Sequence, residues 1–388
     1  MNKLALHFIC KNESSSVRDM LLSVLPISDL IVANDTGSTD GTQGIIQAFG
    51  EEFGVPTYVV ERPFDDFGQS RNFALDRLRE VVRELGWDER EVWGFWMNCK
   101  DRLVIEKMLD KEILASDLYY APVKSEDKSS PRRMFFALRA GFYWYGPVYE
   151  ILKHRQPEIS KSTIDGLYVQ KAPKEILPPE KIIKKYERNA QFLDLFIRSE
   201  PNAGSYWFYQ IGLMFERIGA EYKDAAQKEK YYDLASYYFK KILRNSSNVE
   251  YKFNAQLQLG VILEDQGGTP EDIQAAYLAA YNINPERAES IRQLIAYYMA
   301  KEWWDYAYEY SKQALELFYL NAPSSTTSIV SDDSFYNWRV LEWHFKICSQ
   351  IGKVEEATAA LIELKKTTSE HPEFFTKGKL DRLAHYRV

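Results

Sequence analysis

In the first part of the chain, short continuous apolar runs alternate with stretches whose apolar residues recur three and four positions apart. Leu4 to Cys10, Leu30 to Ala33, Val55 to Val60 and Val92 to Met97 are the runs. Such runs are what strands of a parallel sheet need when both faces are covered. Between them lie three helical patterns: Val17, Met20, Leu21, Val24 and Leu25; then Ile45, Ile46, Ala48 and Phe49; then Phe73, Ala74, Leu78, Val81, Val82 and Leu85. Ser14 to Ser16 are candidate caps for the first helix, and Thr39 or Asp40 for the second. Ser70-Arg71-Asn72 opens the third helix, and Phe64-Asp65-Asp66-Phe67 before it reads as a loop. Strands alternating with helices at this spacing predict a parallel α/β sheet.

The rhythm then changes. Asp117 to Val123 and Met134 to Arg139 read as antiparallel strands, Gly141 to Gly146 as an aromatic turn, and Gly166 to Lys171 as a last strand. Pro173, Pro178 and Pro179 mark a linker. From Glu180 onward the pattern is helical and suggests hairpins that repeat. Ile211-Gly212 is expected to meet Ala235 and Phe239, Leu259-Gly260 to meet Ala275, Ala276 and Ala279, and Ile295-Ala296 to meet Ala307 and Ala314, with a last unit at Ala357 and Leu361. Pro285 after a helix resembles the terminal proline of a tetratricopeptide repeat. Gly219 to Glu229 and Asn321 to Ser334 read as insertions. The expected domains are residues 1–175, an α/β domain, and 176–388, an all-α helical repeat domain.

Composition narrows the picture. A length of 388 residues fits two or three domains, and 45% hydrophobic content is enough for real cores. The net charge of −7 makes nucleic acid an unobvious partner. Cys10, Cys99 and Cys348 show neither metal-ligand spacing nor a paired framework, which fits a reducing compartment. No stretch approaches a membrane span. The expectation is a cytoplasmic protein.

Candidate chemistry gathers around Leu30 to Thr42. Asp35 falls just past the carboxyl end of a buried strand, where open α/β sheets bind ligands. A carboxylate there can accept from a nucleobase or a ribose hydroxyl, although an Asp in this place also caps its own turn. Gly37 and Gly41 allow turn geometries that side chains block.

The motifs resemble those of family 2 glycosyltransferases of GT-A fold. Lys11-Asn12-Glu13 follows the first strand, Asp35 to Thr42 reads Asp-Thr-Gly-Ser-Thr-Asp-Gly-Thr, Phe64-Asp65-Asp66-Phe67 is an acidic-aromatic loop, and Ser70 to Ala74 reads Ser-Arg-Asn-Phe-Ala. Four motifs in order over roughly 100 residues are far more specific than any one alone. The resemblance covers residues 1 to about 170, and related proteins often carry tetratricopeptide-like repeats behind it. It implies a nucleotide-diphosphate sugar donor, a UDP-sugar first among them, and inverting transfer. Ile9, Cys10, Lys11, Glu13, Asp35, Arg71, Asn98 and Lys100 would then hold the donor.

The chain departs from the family where a metal would sit. Related proteins have Asp-x-Asp after the fourth strand; here Asn98-Cys99-Lys100 replaces it, with Asp101 next. An amide is a weak ligand for Mg²⁺ or Mn²⁺, and an ammonium is none. The family's His-Glu becomes Tyr149-Glu150. Lys100, helped by Arg132 or Arg133, is expected to replace the cation on the leaving diphosphate. Glu150 is the expected base for the acceptor hydroxyl. The competing expectation is an inactive transferase-like module whose repeats recruit a protein partner or a second copy. The acceptor is open among glycan, protein, lipid and nucleic acid. Plainer expectations accompany these: Cys99 as a small buried residue, Trp144 and Tyr145 as core or rim, Arg71 and Lys100 as surface charges, and His7 and His154 with no assigned partner.

Overall fold

The computed structural model describes residues 1–125, 128–173, 175–200, 203–321, 334–375 and 377–386, with the side chains at 128, 129, 373 and 377 outside the description. The chain divides into two compact units, Met1–Leu177 and Pro178–Val388.

The first unit is built on a mixed nine-stranded sheet. Its parallel part is β1 (Lys3–Cys10), β2 (Leu30–Asp35), β3 (Thr57–Glu61) and β4 (Val92–Trp96), connected through α1 (Val17–Val24), α2 (Thr42–Phe53) and α3 (Phe67–Glu84). Then come β5 (Arg102–Ile105), β6 (Leu118–Ser125), β7 (Lys128–Ala137), a hairpin of β8 (Tyr143–Tyr145) and β9 (Ile151–Lys153), β10 (Lys161–Thr163) and β11 (Leu167–Gln170). The order is β3-β2-β1-β4-β7-β6-β11-β5, with β10 on β6. β4 joins β1 in parallel and β7 antiparallel, so the strand order turns around between β1 and β4. The carboxyl ends of those two strands are where an open sheet leaves a crevice.

Period-two geometry explains the continuous apolar runs. Leu4, Leu6 and Phe8 pack with α1 and α2 on one face, while Ala5 and Val32 pack with Leu75, Leu78, Val81 and Val82 of α3 on the other. Both faces are dry, so neither alternates with polar residues. His7 is the exception and is fully buried. Its Nδ1 lies 3.0 Å from the Phe95 carbonyl, and Trp144 Nε1–H donates to its Nε2 at 3.4 Å. Burial first, then the Arg71 charge and to a lesser extent that of Arg79, lower its pKa to about 3 against the opposing bond to Phe95. The neutral ring therefore ties β8 to β1.

Local expectations change in several places. β7 runs from Lys128 to Ala137 where Met134 to Arg139 was expected, and β3 from Thr57 to Glu61 where Val55 to Val60 was expected. Gly41, in left-handed conformation at φ 85°, caps α2, so neither Thr39 nor Asp40 holds the cap position; Asp40 still accepts from Thr42 N at 3.1 Å. Helix α3 starts a turn earlier than Ser70, because Asp66 Oδ1 accepts from Gln69 N at 2.7 Å and caps it. The aromatic turn is in part a strand, β8, because it pairs with β9.

The second unit is helical. Its helices are α4 (Pro179–Ser199), α5 (Ser205–Glu221), α6 (Ala225–Asn245), α7 (Val249–Asp265), α8 (Pro270–Ile283), α9 (Glu289–Ala300), α10 (Trp304–Phe318), α11 (Val340–Gln350), α12 (Val354–Glu370) and α13 (Lys377–Leu383). From α4 to α12 each packs on its successor. The expected close approach of Gly212 is to Phe239, whose ring would lie 2.6 Å from an added Cβ. Gly260 meets Tyr277 at 2.7 Å where alanines were expected, so the tight contacts set a glycine against an aromatic ring. Gly219 to Glu229 forms no long loop: α5 runs to Glu221 and α6 starts at Ala225, so most of the stretch is helical. The other expected insertion lies mostly outside the described residues. No described helix is long and apolar enough to cross a membrane.

Candidate active site

Two motif loops zip together at the carboxyl ends of β1 and β2. Asn12 N donates to Ser38 Oγ at 2.8 Å, Thr39 N to Asn12 Oδ1 at 2.8 Å, Glu13 N to Thr42 Oγ1 at 2.9 Å, and Ser14 N to Asp40 Oδ2 at 2.9 Å. Asn12 takes a left-handed φ of 54°, a conformation Asn tolerates. Hydrogen bonds from Thr42 and Ser14 hold the Asp40 carboxyl far below its usual range. Asp35 is fully buried and accepts from Gly37 N at 2.8 Å and Ser38 N at 2.7 Å through Oδ1. Burial raises its pKa, but the bonds from Ser38, Gly37 and Gln43 outweigh this and keep it below its usual range. Its other oxygen lies 3.6 Å from Cys10 Sγ. Burial and the nearby charges push the Cys10 thiol well up. Ile9 is half-buried and Lys11 exposed, and the Glu13 carboxylate accepts from Ser16 Oγ at 2.7 Å. Asp35 thus caps its own turn, and the motif's polar residues hold the two loops in register.

The second cluster lies past β4. Arg71 on α3 is almost wholly buried, and its Nε donates to Glu150 Oε1 at 2.5 Å. Its Nη2 reaches Asn98 Oδ1 at 3.4 Å. Asn98 Nδ2 donates to Asp101 Oδ2 at 2.9 Å, and Arg132 Nη1 stands 3.9 Å from that oxygen. The Trp96 ring is flanked by both guanidiniums, Arg71 at 4.4 Å and Arg132 at 3.7 Å from its centroid. Burial and the Arg71 charge lower Arg132 to about 9 against the pull of Asp101, so it stays cationic at neutral pH. Cys99 lies between the clusters; burial and the Glu13 charge push its thiol up to about 12, against Arg71.

The third motif holds this geometry. Asn72 exchanges two hydrogen bonds with the Trp144 backbone, at 2.8 and 2.7 Å. Phe67 N donates to Pro147 O at 3.0 Å. Gly68 faces Gly146 so closely that a Cβ would stand 2.1 Å from its carbonyl oxygen. Tyr149 carries a left-handed φ of 52° immediately before Glu150. The start of α3 thereby fixes the β8–β9 turn that delivers Glu150 to Arg71.

Lys100 is not in this cluster, contrary to expectation. Asp101 N bonds to Asn98 O at 3.0 Å, which makes Cys99 and Lys100 the central residues of a tight turn. Cys99 turns inward toward Ile9 O, whereas Lys100 is 57% exposed and lies 3.6 Å from Glu175. Arg133 is directed to the Leu152 carbonyl. The arginines that converge are Arg71 and Arg132. Arg132, expected only as a helper of Lys100, is brought to Trp96 by the pairing of β7 with β4.

The residues present do not fit a divalent cation. Asn98 is spent on Arg71 and Asp101, and Lys100 points elsewhere. Asp101 accepts from Ala172 N at 3.3 Å through its other oxygen and faces Arg132. A cation placed there would meet two guanidiniums. Buried polar atoms lacking a hydrogen-bond partner among the described residues concentrate here instead: Arg71 Nη1, Arg132 Nε and Trp96 Nε1, with Asn34 Oδ1 and Ser70 Oγ nearby. The first three are donors, and native proteins rarely leave buried donors unused.

No family model matches the chain, and no curated protein matches it. Among solved structures, MamA from Desulfovibrio magneticus RS-1 is similar at 15% identity over 50% of this chain and 92% of that one, with a TM-score of 0.33. Yeast Tom70 is similar at 12% identity over 50% of this chain and 35% of that one, TM-score 0.33. TarS of S. aureus is similar at 10% identity over 72% of this chain and 52% of that one, TM-score 0.33. None of these scores is high enough to carry an inference about this chain.

Proposed function

We propose that the N-terminal unit binds a nucleotide-diphosphate sugar, a UDP-sugar first among them, and transfers the sugar without a divalent cation. The observation that carries this reading is the group of buried donors without acceptors on Arg71, Arg132 and Trp96, at the crevice end of the sheet. Diphosphate oxygens are the acceptors that such a group suits, and arginine matches them in a fork geometry. Ile9, Lys11 and Glu13 line the nucleoside end, with buried Cys10 and Asp35 shaping the turn behind them, and Arg71 and Asn98 line the diphosphate end.

In this mechanism the donor diphosphate takes Arg71 from Glu150, one anion replacing another. The freed carboxylate accepts the acceptor's hydroxyl proton. The hydroxyl oxygen bonds to the anomeric carbon from the face opposite the diphosphate, the anomeric C–O bond breaks, and the nucleoside diphosphate leaves with its charge held by the guanidiniums. The helical unit offers a surface for the acceptor, a protein partner or a second copy.

A second reading has its own support. The Arg71–Glu150 pair joins the proposed cation to the proposed base, which is also how a silent transferase-like binding module would be built. Nucleoside diphosphate release from a panel of UDP- and GDP-sugars, with and without EDTA, separates the two. Transfer chemistry predicts release that EDTA leaves unchanged. Saturable UDP binding with no release from any donor would select the silent module.

A further inference from the structure

In the helical unit, His344 and Cys348 lie one turn apart on α11, and Glu356 faces them from α12. Their ligand atoms all lie within 4.8 Å of one another. His344 Nε2 is 3.4 Å from Cys348 Sγ and 3.8 Å from Glu356 Oε2. We propose that these three side chains form a site for a borderline-soft divalent cation, Zn²⁺ by preference, which staples α11 to α12.

The hydrogen bonds around His344 set the ring for this task. Ser311 Oγ donates to the Tyr308 carbonyl at 2.9 Å, so its hydrogen is already used. At 2.8 Å from His344 Nδ1 it can then only accept, which puts the ring proton on Nδ1. Nε2 is left with its lone pair directed at the sulfur and the carboxylate. A histidine ligand held through its other nitrogen is the usual arrangement at metal sites. The Glu356 carboxylate is likewise held, by the Tyr308 hydroxyl at 2.8 and 3.1 Å. Imidazole, thiolate and carboxylate together suit Zn²⁺, with water as the fourth ligand.

His344, Cys348 and Ser311 are buried, while Glu356 is 41% exposed and gives the ion a way in. Lys353 Nζ sits 3.2 Å from Glu356 and over the Tyr308 ring, on the exposed side, where it can swing clear. On binding, the Cys348 thiol releases one proton to solvent, so thiolate and carboxylate together neutralise the dication. The plainer alternative is a thiol–imidazole hydrogen bond inside a helix pair.

The test is titration of the full chain, stripped with EDTA, with Co²⁺ followed by absorbance and with Zn²⁺ followed by melting temperature. The expected result is a thiolate-to-cobalt charge-transfer band that saturates at one equivalent, together with a Zn²⁺-dependent rise in melting temperature. Cys348→Ser abolishes the band, whereas Cys10→Ser and Cys99→Ser keep it. Ser311→Ala, which removes the partner of His344 Nδ1 but no ligand of the ion, weakens binding about tenfold or more. Glu356→Gln alters a half-exposed side chain, serves where Cys348→Ser melts early, and also weakens binding. No band at all, or a band retained in Cys348→Ser, would overturn the proposal and leave the hydrogen bond.

Discussion

Arg71 is the residue on which the site turns. It is buried, paired to Glu150 at 2.5 Å, and stacked near Trp96 and Trp144. Arg71→Met would leave a buried carboxylate with no cation, and such losses cost about 3–5 kcal/mol. Chemical denaturation should therefore show a large fall in the midpoint. Lys100→Ala should change stability by less than about 0.5 kcal/mol, because the lysine is exposed and its ion pair is screened. Side-chain identity alone could not separate the two cations. The Arg71 motif was legible because it lies in a helix with a readable apolar stripe. Lys100 was misread because a tight turn reverses direction between Asn98 and Asp101, and a turn of that kind leaves no apolar period in the sequence. Arg132 needed the β4–β7 pairing, which is also invisible to local pattern.

At the scale of elements, the docking of the β8–β9 turn on α3 depends on the missing side chain of Gly68. Gly68→Ala places a methyl group 2.1 Å from backbone that cannot swing aside. The expected cost is about 1–3 kcal/mol, with faster amide exchange across Tyr143 to Lys153 and little change elsewhere. Equal exchange in the variant and the parent would mean that the hairpin is held by other contacts. Of the parallel strands, β1, β2 and β4 were legible as unbroken apolar runs because both their faces are buried, whereas β3 is only half-buried and starts at Thr57, two residues after the expected Val55. The start of α3 was not. Asp66 looks like any loop acid until its carboxylate is seen on Gln69 N. In the helical unit the expected small-residue contacts became glycine against ring, because Tyr277 fills the space over Gly260. Tyrosine hydroxyls then finish the packing on acids of neighbouring helices, as Tyr277 does on Glu264 at 2.6 Å and Tyr238 on Asp194 at 3.0 Å. A helical periodicity marks such residues as core but says nothing of the acid each one will find.

For the molecule as a whole, two units with separate cores imply that damage to one need not move the other. Glu342 in the helical unit supplies the test. It is buried, and its carboxylate receives Lys379 at 3.0 Å, Lys346 at 3.1 Å, Tyr386 at 2.7 Å and Arg382. Burial raises its pKa, but these partners outweigh burial and hold it at about 2, against an ordinary value of 4.5. A lowered carboxylate pKa contributes stability in full above the unfolded value and loses it as pH falls through the folded one. Calorimetry between pH 7 and 2 should show the helical unit losing stability from about pH 4.5 downward. Glu342→Gln should melt earlier at pH 7 and lose less on acidification, with the transition of the sheet unit unmoved. An acid limb as steep in the variant as in the parent would remove Glu342 from the explanation.

Whether guanidinium takes the place of a metal in sugar transfer is decided by one measurement. Nucleoside diphosphate release from a panel of UDP- and GDP-sugars is followed in excess EDTA for the parent chain and for Arg71→Lys, which keeps the charge but not the fork. If the guanidiniums hold the leaving diphosphate, EDTA does not slow release by the parent, and release falls sharply in the variant. Release stopped by EDTA and restored by Mn²⁺, or no release from any donor, would contradict that role.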